Sequence, residues 1–390
     1  MTEKVPSVYL HIPFCASKCY YCDFNSYVNK EHLIEEYFNA LKSEINKGAE
    51  FLAEYGSHDT GTELETIYVG GGTPTSVPPR FISSVVSLVT DRYKMTSDPE
   101  ITIECNPGTV NDNKIKEYKS CGINRISIGL QSSSDRILKS IGRNHTYEDF
   151  LRTFDLFTKN GFENINVDII EGLPGQSLKD FSDTVNAVIS TGAKHVSVYS
   201  LSISEGSKFY RDSDSIMKSL PDDEDERMMY HYARKALISS GLHHYEISNF
   251  AIPGFESMHN LFCWKGERYL GFGAGAHSFI GNRRSANMSE PEEYIRRVEN
   301  SESTDYFPAS ETLELLSDSD LENEFFLLRF RLIDGISKTD FRNKFGKSLD
   351  TYIEKLDKLI SEGYLVENDD RLIMTLRGLD YANNIFAEFV

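Results

Sequence analysis

The chain has 390 residues, of which 39% are hydrophobic, and a formal net charge of −19. The length favours one large domain with a smaller one, and the acidic charge excludes non-specific nucleic-acid binding because no basic stripe can neutralise phosphates. No apolar run reaches the roughly 18 residues of a membrane span. The N-terminal residues lack the pattern of a secretory signal, so we expect a cytoplasmic protein without a transmembrane segment.

Strand-like runs alternate with amphipathic helical stretches along the first part of the chain. The expected strand and helix pairs are 8–14 with 31–54, 66–71 with 79–93, 100–106 with 111–121, 125–131 with 134–160, 164–172 with 178–191, and 195–202 with 222–240. Six such units in series predict an α/β fold with a parallel sheet covered by helices, either doubly wound or rolled towards a barrel.

The pattern changes after about residue 300. Residues 311–390 look helical except for GYLVENDDRLIMTLRG (363–378), which is typical of two short strands around an Asn-Asp-Asp turn. Helices followed by a hairpin predict a small winged-helix-like module. Because this part is acidic, a lid or docking role is favoured over DNA binding.

Three of the six cysteines, Cys15, Cys19 and Cys22, lie within HIPFCASKCYYCDFNSY (11–27), directly after the first expected strand. The spacing C-x3-C-x2-C suits three corners of a cubane iron–sulfur cluster and leaves the fourth iron without a protein ligand. A structural zinc site, which needs a fourth ligand such as His11, and a coincidental redox pair are the alternatives. The other three cysteines are scattered and are expected to be buried free thiols.

Glycines and polar residues occur at the ends of the following strands. They are GGGTPT (70–75) after the second strand, Glu104 and Asn106 after the third, Gln131 after the fourth, and Asp168 and Glu171 in the fifth. The carboxyl ends of parallel strands meet at one edge of the sheet, where ligands bind. A turn or a helix cap explains each residue taken alone, but their recurrence on four successive strands predicts a ligand site shared with the cysteines.

The combination of C-x3-C-x2-C after the first strand with GGGTPT resembles the radical S-adenosylmethionine (SAM) superfamily. Further motifs match, in order, its HemN-like branch, which comprises oxygen-independent coproporphyrinogen III dehydrogenases and HemW-type heme chaperones: HIPFC, CDFNSY, VGGGTPT, IECNPG, RISIGLQS, GRNH and VDIIEGLPGQ. The resemblance covers most of the chain. It implies a partial (β/α)6 barrel at residues 1–205, accessory strands and helices at 206–305, and a smaller helical C-terminal domain at 306–390.

The resemblance also implies cofactors and the residues that hold them. Cys15, Cys19 and Cys22 would bind a [4Fe-4S] cluster whose open iron takes the amino and carboxylate groups of SAM. An electron from the cluster, supplied by an electron donor, would cleave SAM to methionine and a 5′-deoxyadenosyl radical. The residues that match SAM-contacting positions are Gly71, Gly72, Thr73, Glu104, Gln131, Arg143 and Asp168, with Tyr9 and Tyr21 nearer the cluster.

Two departures separate the members of this branch. Phe24 stands where the coproporphyrinogen enzymes carry another cysteine, and only 14 residues precede Cys15 where those enzymes carry a long extension. Residues 258–278, MHNLFCWKGERYLGFGAGAHS, resemble the H-N-x-x-Y-W signature of the heme chaperones, with Cys263 in place of the tyrosine. His259 is then a candidate imidazole ligand of heme, and Cys263 a candidate thiolate ligand; a helix cap and a packing cysteine are the simpler explanations.

The resemblance therefore predicts a heme chaperone that binds heme and passes it to an acceptor protein, with the cluster and SAM regulating or supporting the transfer. The alternative is an enzyme that oxidatively decarboxylates coproporphyrinogen III. Radical-based opening or methylation of a porphyrin is a third option, and residues 258–278 support it less.

Overall fold

The computed structural model describes residues 4–55, 63–302 and 304–390. Six parallel strands lie side by side in chain order: β1 (Ser7–Ile12), β2 (Leu64–Gly71), β3 (Met95–Cys105), β4 (Arg125–Gln131), β5 (Asn164–Glu171) and β6 (His195–Ser200). The connecting helices are α1 (Ile34–Tyr55), α2 (Pro79–Arg92), α3 (Asp112–Ser120), α4 (Asp135–Ser140), α5 (Tyr147–Lys159) and α6 (Leu178–Thr191). This arrangement confirms the predicted α/β fold with six strand–helix units.

The six strands form because their residues are buried on both faces of the sheet. Every residue of β4, with the sequence RISIGLQ, is buried, as expected for a parallel strand covered by helices on its faces. The helices begin and end at strong local signals. Ser177 and Asp180 form a capping box at the start of α6, and Gly192 ends that helix in a left-handed conformation with a φ of 74°.

Further strands extend the parallel sheet on both sides to twelve strands. Three helices, α7 (Lys208–Arg211), α8 (Ser213–Ile216) and α9 (Asp223–Ser239), lead to β7 (His243–Glu246) and β8 (Asn249–Ala251), which continue the sheet beyond β6. Helix α10 (Met258–Trp264) returns the chain to the other side, where β9 (Tyr269–Phe272) pairs in parallel with β1. Antiparallel strands β10 (His277–Ile280) and β11 (Arg283–Asn287) follow, before α11 (Pro291–Glu299).

The prediction that residues 311–390 begin with helical structure is wrong for their first residues. The segment SETLEL forms the strand β12 (Ser310–Leu315), which pairs antiparallel with β11 at the edge of the large sheet. Polar and apolar residues alternate only partly in this segment, so the local pattern for a strand is weak. Pairing with β11 decides its conformation instead.

The remaining residues form a second, smaller unit with its own hydrophobic core. Its elements are α12 (Asp318–Arg329), β13 (Ile336–Ser337), α13 (Lys338–Phe345), α14 (Ile353–Ser361), β14 (Leu365–Asn368), β15 (Arg371–Met374), α15 (Leu376–Asp380) and α16 (Ala382–Ala387). The predicted hairpin is present as β14 and β15, and β13 adds a third antiparallel strand. None of the described helices is long and apolar enough to cross a membrane.

Candidate functional site

The three clustered cysteines lie on a loop that leaves the end of β1. The loop is closed at its base because Tyr27 N–H donates to Pro13 O (2.7 Å) and Cys15 N–H donates to Tyr27 O (2.9 Å). At its far side, Tyr20 N–H donates to the carbonyl of Ile141, the residue after α4 (3.0 Å). These bonds hold the cysteines at the carboxyl edge of the parallel strands.

The cysteine loop and the strand ends enclose a cavity of about 290 Å³, which we name the cysteine cavity. All three cysteines line it. Eight of the nine residues that the sequence assigned to SAM or to the cluster surroundings also line it, namely Tyr21, Gly71, Gly72, Thr73, Glu104, Gln131, Arg143 and Asp168. The strand ends therefore converge as expected from the parallel topology.

Cys15, Cys19 and Cys22 are free cysteines. Cys19 lies close enough to the other two to affect their pKa. Burial raises the pKa of Cys15 and of Cys22, and the nearby charge of Cys19 adds to the rise in both. Among the described residues, no group of three or more His, Cys, Asp and Glu side chains is arranged to hold a metal ion. The ligands of one zinc ion converge on one point, at about 2.3 Å for sulfur. In a cubane the three thiolates would bind three different irons, so their sulfurs need not converge on one point.

A polar frame supports two of the cysteine sulfurs. Arg143 Nη1–H donates to Cys19 Sγ (3.5 Å), and Arg143 Nη2–H donates to Asn106 Oδ1 (3.2 Å). Asn106 Nδ2–H in turn donates to the hydroxyl of Thr73, which lies 3.4 Å from Cys15 Sγ. The buried guanidinium of Arg143 therefore places a positive charge beside the Cys19 sulfur.

Glu104 and Asp168 place two buried carboxyl groups in the cysteine cavity. Glu104 accepts hydrogen bonds from Tyr68 OH (3.0 Å) and Gly71 N–H (3.1 Å), and burial raises its pKa to about 7. Burial also raises the pKa of Asp168, which accepts from Ser127 Oγ–H at 3.0 Å. A cationic ligand that approaches such a buried carboxyl group stabilises its ionised form.

Gln131 places an unpartnered hydrogen-bond acceptor at the wall of the cysteine cavity. Its backbone has a φ of 71°, a left-handed conformation that is uncommon for a residue other than glycine. Its buried Oε1 has no hydrogen-bond partner among the described residues. Strained backbone costs on the order of 1–3 kcal/mol and concentrates at ligand sites. The amide oxygen is therefore suited to accept a hydrogen bond from a bound molecule.

A second cavity, of about 570 Å³, lies beside the first, and we name it the histidine cavity because three histidines, His11, His259 and His277, line it. Phe24, Gly71 and Glu104 line both cavities. Tyr9, which the sequence placed near the cluster, lines the histidine cavity and is absent from the lining of the cysteine cavity.

Tyr9 and His11 form one hydrogen-bonded unit at the wall of the histidine cavity. His11 Nε2 lies 2.7 Å from Asn25 O, a carbonyl that only accepts, so Nε2 carries the proton. His11 Nδ1 then accepts from Tyr9 OH at 2.9 Å. Burial lowers the pKa of His11 to about 4, so the ring is neutral. Both of its nitrogens are engaged.

His259 is the second residue of α10, whose first turn is held by β3: Glu100 accepts from Met258 N–H (3.0 Å) and His259 N–H (3.2 Å). The helix cap is Ser257, not His259. Burial, with Arg125 as a lesser cause, lowers the pKa of His259 to about 3.

The hydrogen bonds of His259 fix its tautomer. Thr66 Oγ1–H donates to Ser7 Oγ (3.0 Å), so the 2.9 Å contact between Thr66 Oγ1 and His259 Nδ1 requires that Nδ1 donates. The lone pair of the neutral ring is therefore on Nε2. The residue is only 6% exposed, and its ring packs against that of Tyr68 with the centroids 5.0 Å apart.

Cys263 also lines the histidine cavity, and burial raises the pKa of its thiol to about 11. A thiol with this pKa stays protonated at neutral pH and is a poor thiolate ligand. Residues that the sequence did not assign to the site include Tyr68, Tyr199 and His277. Tyr199 lies at the end of β6, where the strand pattern alone could have suggested it; His277 has no such signal.

Two family models match the chain. The Radical SAM superfamily model matches residues 9–188, and the HemN C-terminal domain model matches residues 316–381. The first range contains the cysteine loop and the ends of β2 to β5. The second range lies within the smaller C-terminal unit.

Similar proteins extend over almost the whole chain. The protein named heme chaperone HemW from Bacillus subtilis (strain 168) is 38% identical, with 98% of this chain and 99% of the relative covered. The protein of the same name from Escherichia coli (strain K12) is 32% identical, with 99% of each covered. The solved structure of the coproporphyrinogen III oxidase HemN from Escherichia coli has a TM-score of 0.85 at 22% identity, covering 100% of this chain and 91% of HemN.

Proposed function

Since this chain belongs to the radical SAM superfamily and, within it, to the HemW family, we propose that it is a heme chaperone that binds heme and transfers it to an acceptor protein. It carries a [4Fe-4S] cluster and SAM, which regulate or support the transfer. The relatives named heme chaperone support this function over coproporphyrinogen III decarboxylation, as does Phe24 at the position where the coproporphyrinogen enzymes carry a cysteine.

The cysteine cavity is the proposed site of the resident cofactors. Cys15, Cys19 and Cys22 would hold the cluster, with Arg143 donating to the Cys19 sulfur. When bound, the cluster and SAM would supply one-electron chemistry at this cavity. An electron donor for the cluster is therefore a proposed partner, together with the heme acceptor.

The chain offers groups that match two kinds of polar group in SAM. The carboxyl groups of Glu104 and Asp168 suit its cationic centres, and the unpartnered Gln131 Oε1 suits an N–H donor. At Gly72 an added Cβ would lie 2.7 Å from Phe14 O and 3.0 Å from Cys15 Sγ, so only glycine leaves the space beside the cysteine loop open.

The histidine cavity is the proposed heme site, and its common wall with the cysteine cavity is the observation that carries the proposal. Phe24, Gly71 and Glu104 face both cavities, so a heme in one cavity and SAM in the other would contact the same residues. Aromatic and imidazole side chains line the heme side, which suits a flat apolar macrocycle with a central iron. Cys263 is disfavoured as the iron ligand because its thiol has a pKa of about 11.

Heme binding by the anaerobically reconstituted protein tests this function. We expect one heme per chain by absorbance titration, release of the heme to a heme-free acceptor, and no conversion of coproporphyrinogen III when cluster, SAM and reductant are all present. Failure of the wild-type chain to bind heme contradicts the proposal. Sustained decarboxylation of coproporphyrinogen III would instead establish the enzymatic alternative.

A further inference from the structure

Resting on the proposed heme binding, we infer that His277 is the axial ligand of the heme iron in the histidine cavity. His259, in the stretch that resembles the heme-chaperone signature, is then a buried support of the cavity wall. The inference follows from comparing the ring nitrogens of the three histidines that line this cavity.

An axial ligand must present a nitrogen lone pair to an iron at the centre of a wide planar molecule. His11 has none to offer, since its Nε2 donates to Asn25 O and its Nδ1 accepts from Tyr9 OH. His259 has a lone pair on Nε2, but the residue is 6% exposed and its ring packs against Tyr68. The enclosure of His259 leaves little room for a macrocycle to approach along that lone pair.

His277 has the properties that the other two rings lack. It is exposed, it lines the histidine cavity, and within the described part of the chain no hydrogen bond engages either of its ring nitrogens. It is also close enough to His11 to lower that residue's pKa, after the larger effect of burial. His277 therefore presents a free imidazole beside the wall formed by β1.

The backbone before His277 is hydrogen-bonded to the cysteine loop. Gly273 and Gly275 have φ values of 102° and 77°, and a Cβ at Gly275 would lie 2.3 Å from Asn25 Nδ2. Asn25 Nδ2–H donates to Ala274 O (2.9 Å), and Gly275 N–H donates to Met288 O (2.8 Å). This glycine-rich turn fixes the start of β10, and with it the Cα of His277, relative to the loop that carries Phe24.

Phe24 supplies the apolar contact that a porphyrin face needs. Its side chain is 63% exposed, although it lines both cavities. Lys18 Nζ donates to the carbonyls of Phe24 (3.1 Å) and Ser26 (3.3 Å), which holds the turn that carries the aromatic ring. An exposed aromatic ring and a free imidazole at one cavity suit the face and the iron of a heme.

Titration of the full-length, cluster-loaded protein with ferric heme tests the inference. We expect His277→Ala to weaken binding by about tenfold or more, because loss even of a group that only supports a metal ligand costs that much. We also expect it to shift the Soret band and to abolish the iron–imidazole stretching band in the resonance Raman spectrum of the ferrous complex. This band reports the bond between the iron and the ring nitrogen, so a merely structural role of His277 would leave it in place.

Two matched variants serve as controls. His243→Ala removes another exposed histidine, at the opposite edge of the sheet, and should bind heme as the wild type does. His259→Ala should keep the axial spectrum. His277→Gln, whose side chain is polar and of similar size, should lose the axial signal while retaining its cluster iron, which separates ligand loss from misfolding.

The outcomes distinguish this inference from the function on which it rests. If the wild type binds heme and the His277→Ala spectrum is unchanged, the inference is wrong and the heme-binding function stands. If His259→Ala alone loses the axial signal, His259 is the ligand. If the wild type binds no heme at all, the proposed function itself fails.

Discussion

Replacing Gly72 with alanine should disturb the cluster site through a collision that the structure measures. Gly72 follows β2, its N–H donates to Ile12 O (2.8 Å), and the next residue, Thr73, donates its N–H to Phe14 O (2.9 Å). An added Cβ would lie 2.7 Å from Phe14 O and 3.0 Å from Cys15 Sγ. Unstrained C···O contacts are about 3.3 Å or longer, so the backbone before Cys15 must move by about 0.6 Å.

The expected cost of this overpacking is about 1–3 kcal/mol of unfolding free energy. The same displacement moves the backbone that carries Cys15, and a shift of about 1 Å at a reacting site costs on the order of a hundredfold in rate. Gly72→Ala should therefore bind less than the full complement of about four irons per chain expected of a cubane. SAM should change the electron paramagnetic resonance (EPR) spectrum of its reduced cluster less than that of the wild type.

Gly254→Ala is the matched control. Gly254 has a φ of 89°, and a Cβ added there would meet no neighbour within 4 Å, so alanine costs only the left-handed backbone conformation. That conformation costs roughly 1–2 kcal/mol, similar to the expected cost at Gly72. The control should lose stability and keep its iron. Full iron content together with an unchanged SAM response in Gly72→Ala would refute the reasoning.

Three further predictions concern single side chains. Cys19→Ala should abolish the cluster in an iron assay of the reconstituted protein, whereas Cys121→Ala should retain it. Arg143→Met removes a cation beside the Cys19 sulfur, so the cluster should become harder to reduce in a potentiometric titration. The control Arg152→Met, at an exposed arginine, should leave the reduction potential unchanged. An equal shift of the potential in both variants would contradict this prediction. Burial raises the pKa of Glu44 from 4.5 to about 7, so the folded state binds this proton more tightly than the unfolded state does. The resulting stabilisation of the fold is complete below about pH 4.5 and is lost as the pH rises through about 7. The loss amounts to about 3 kcal/mol of unfolding free energy. Urea unfolding at pH 5 and pH 8 should show a smaller pH dependence in Glu44→Gln, and equal dependence in both proteins would refute the assignment.

The sequence predicted best those helices and strands whose signals lie within the element itself. The bounds of β4 and α6 match the prediction because β4 is a continuous buried run and α6 has a capping box and a terminal glycine. The strand β12 was missed because its conformation depends on pairing with β11, a contact that no local periodicity reports.

The same distinction applies to the site. The cysteine cavity was predictable because the ends of successive parallel strands meet at one edge, whatever the details of the helices between them. The histidine cavity depends on β9, which pairs in parallel with β1 although Ser7 and Tyr269 are far apart in the chain. Only this return brings His277 to the wall that contains His11. Tyr9 belongs to that cavity because it is two residues from His11 and so faces the same side of β1.

The common wall of the two cavities places a thermodynamic condition on the proposed function. Gly71 and Glu104 line both cavities, and Glu104 accepts from Tyr68, whose ring packs against His259. If SAM changes the conformation or protonation of Glu104, it must change the affinity for heme, and heme must then change the affinity for SAM by the same factor, since linkage is reciprocal. Under the proposed function, SAM would then regulate heme release through binding alone, without being cleaved.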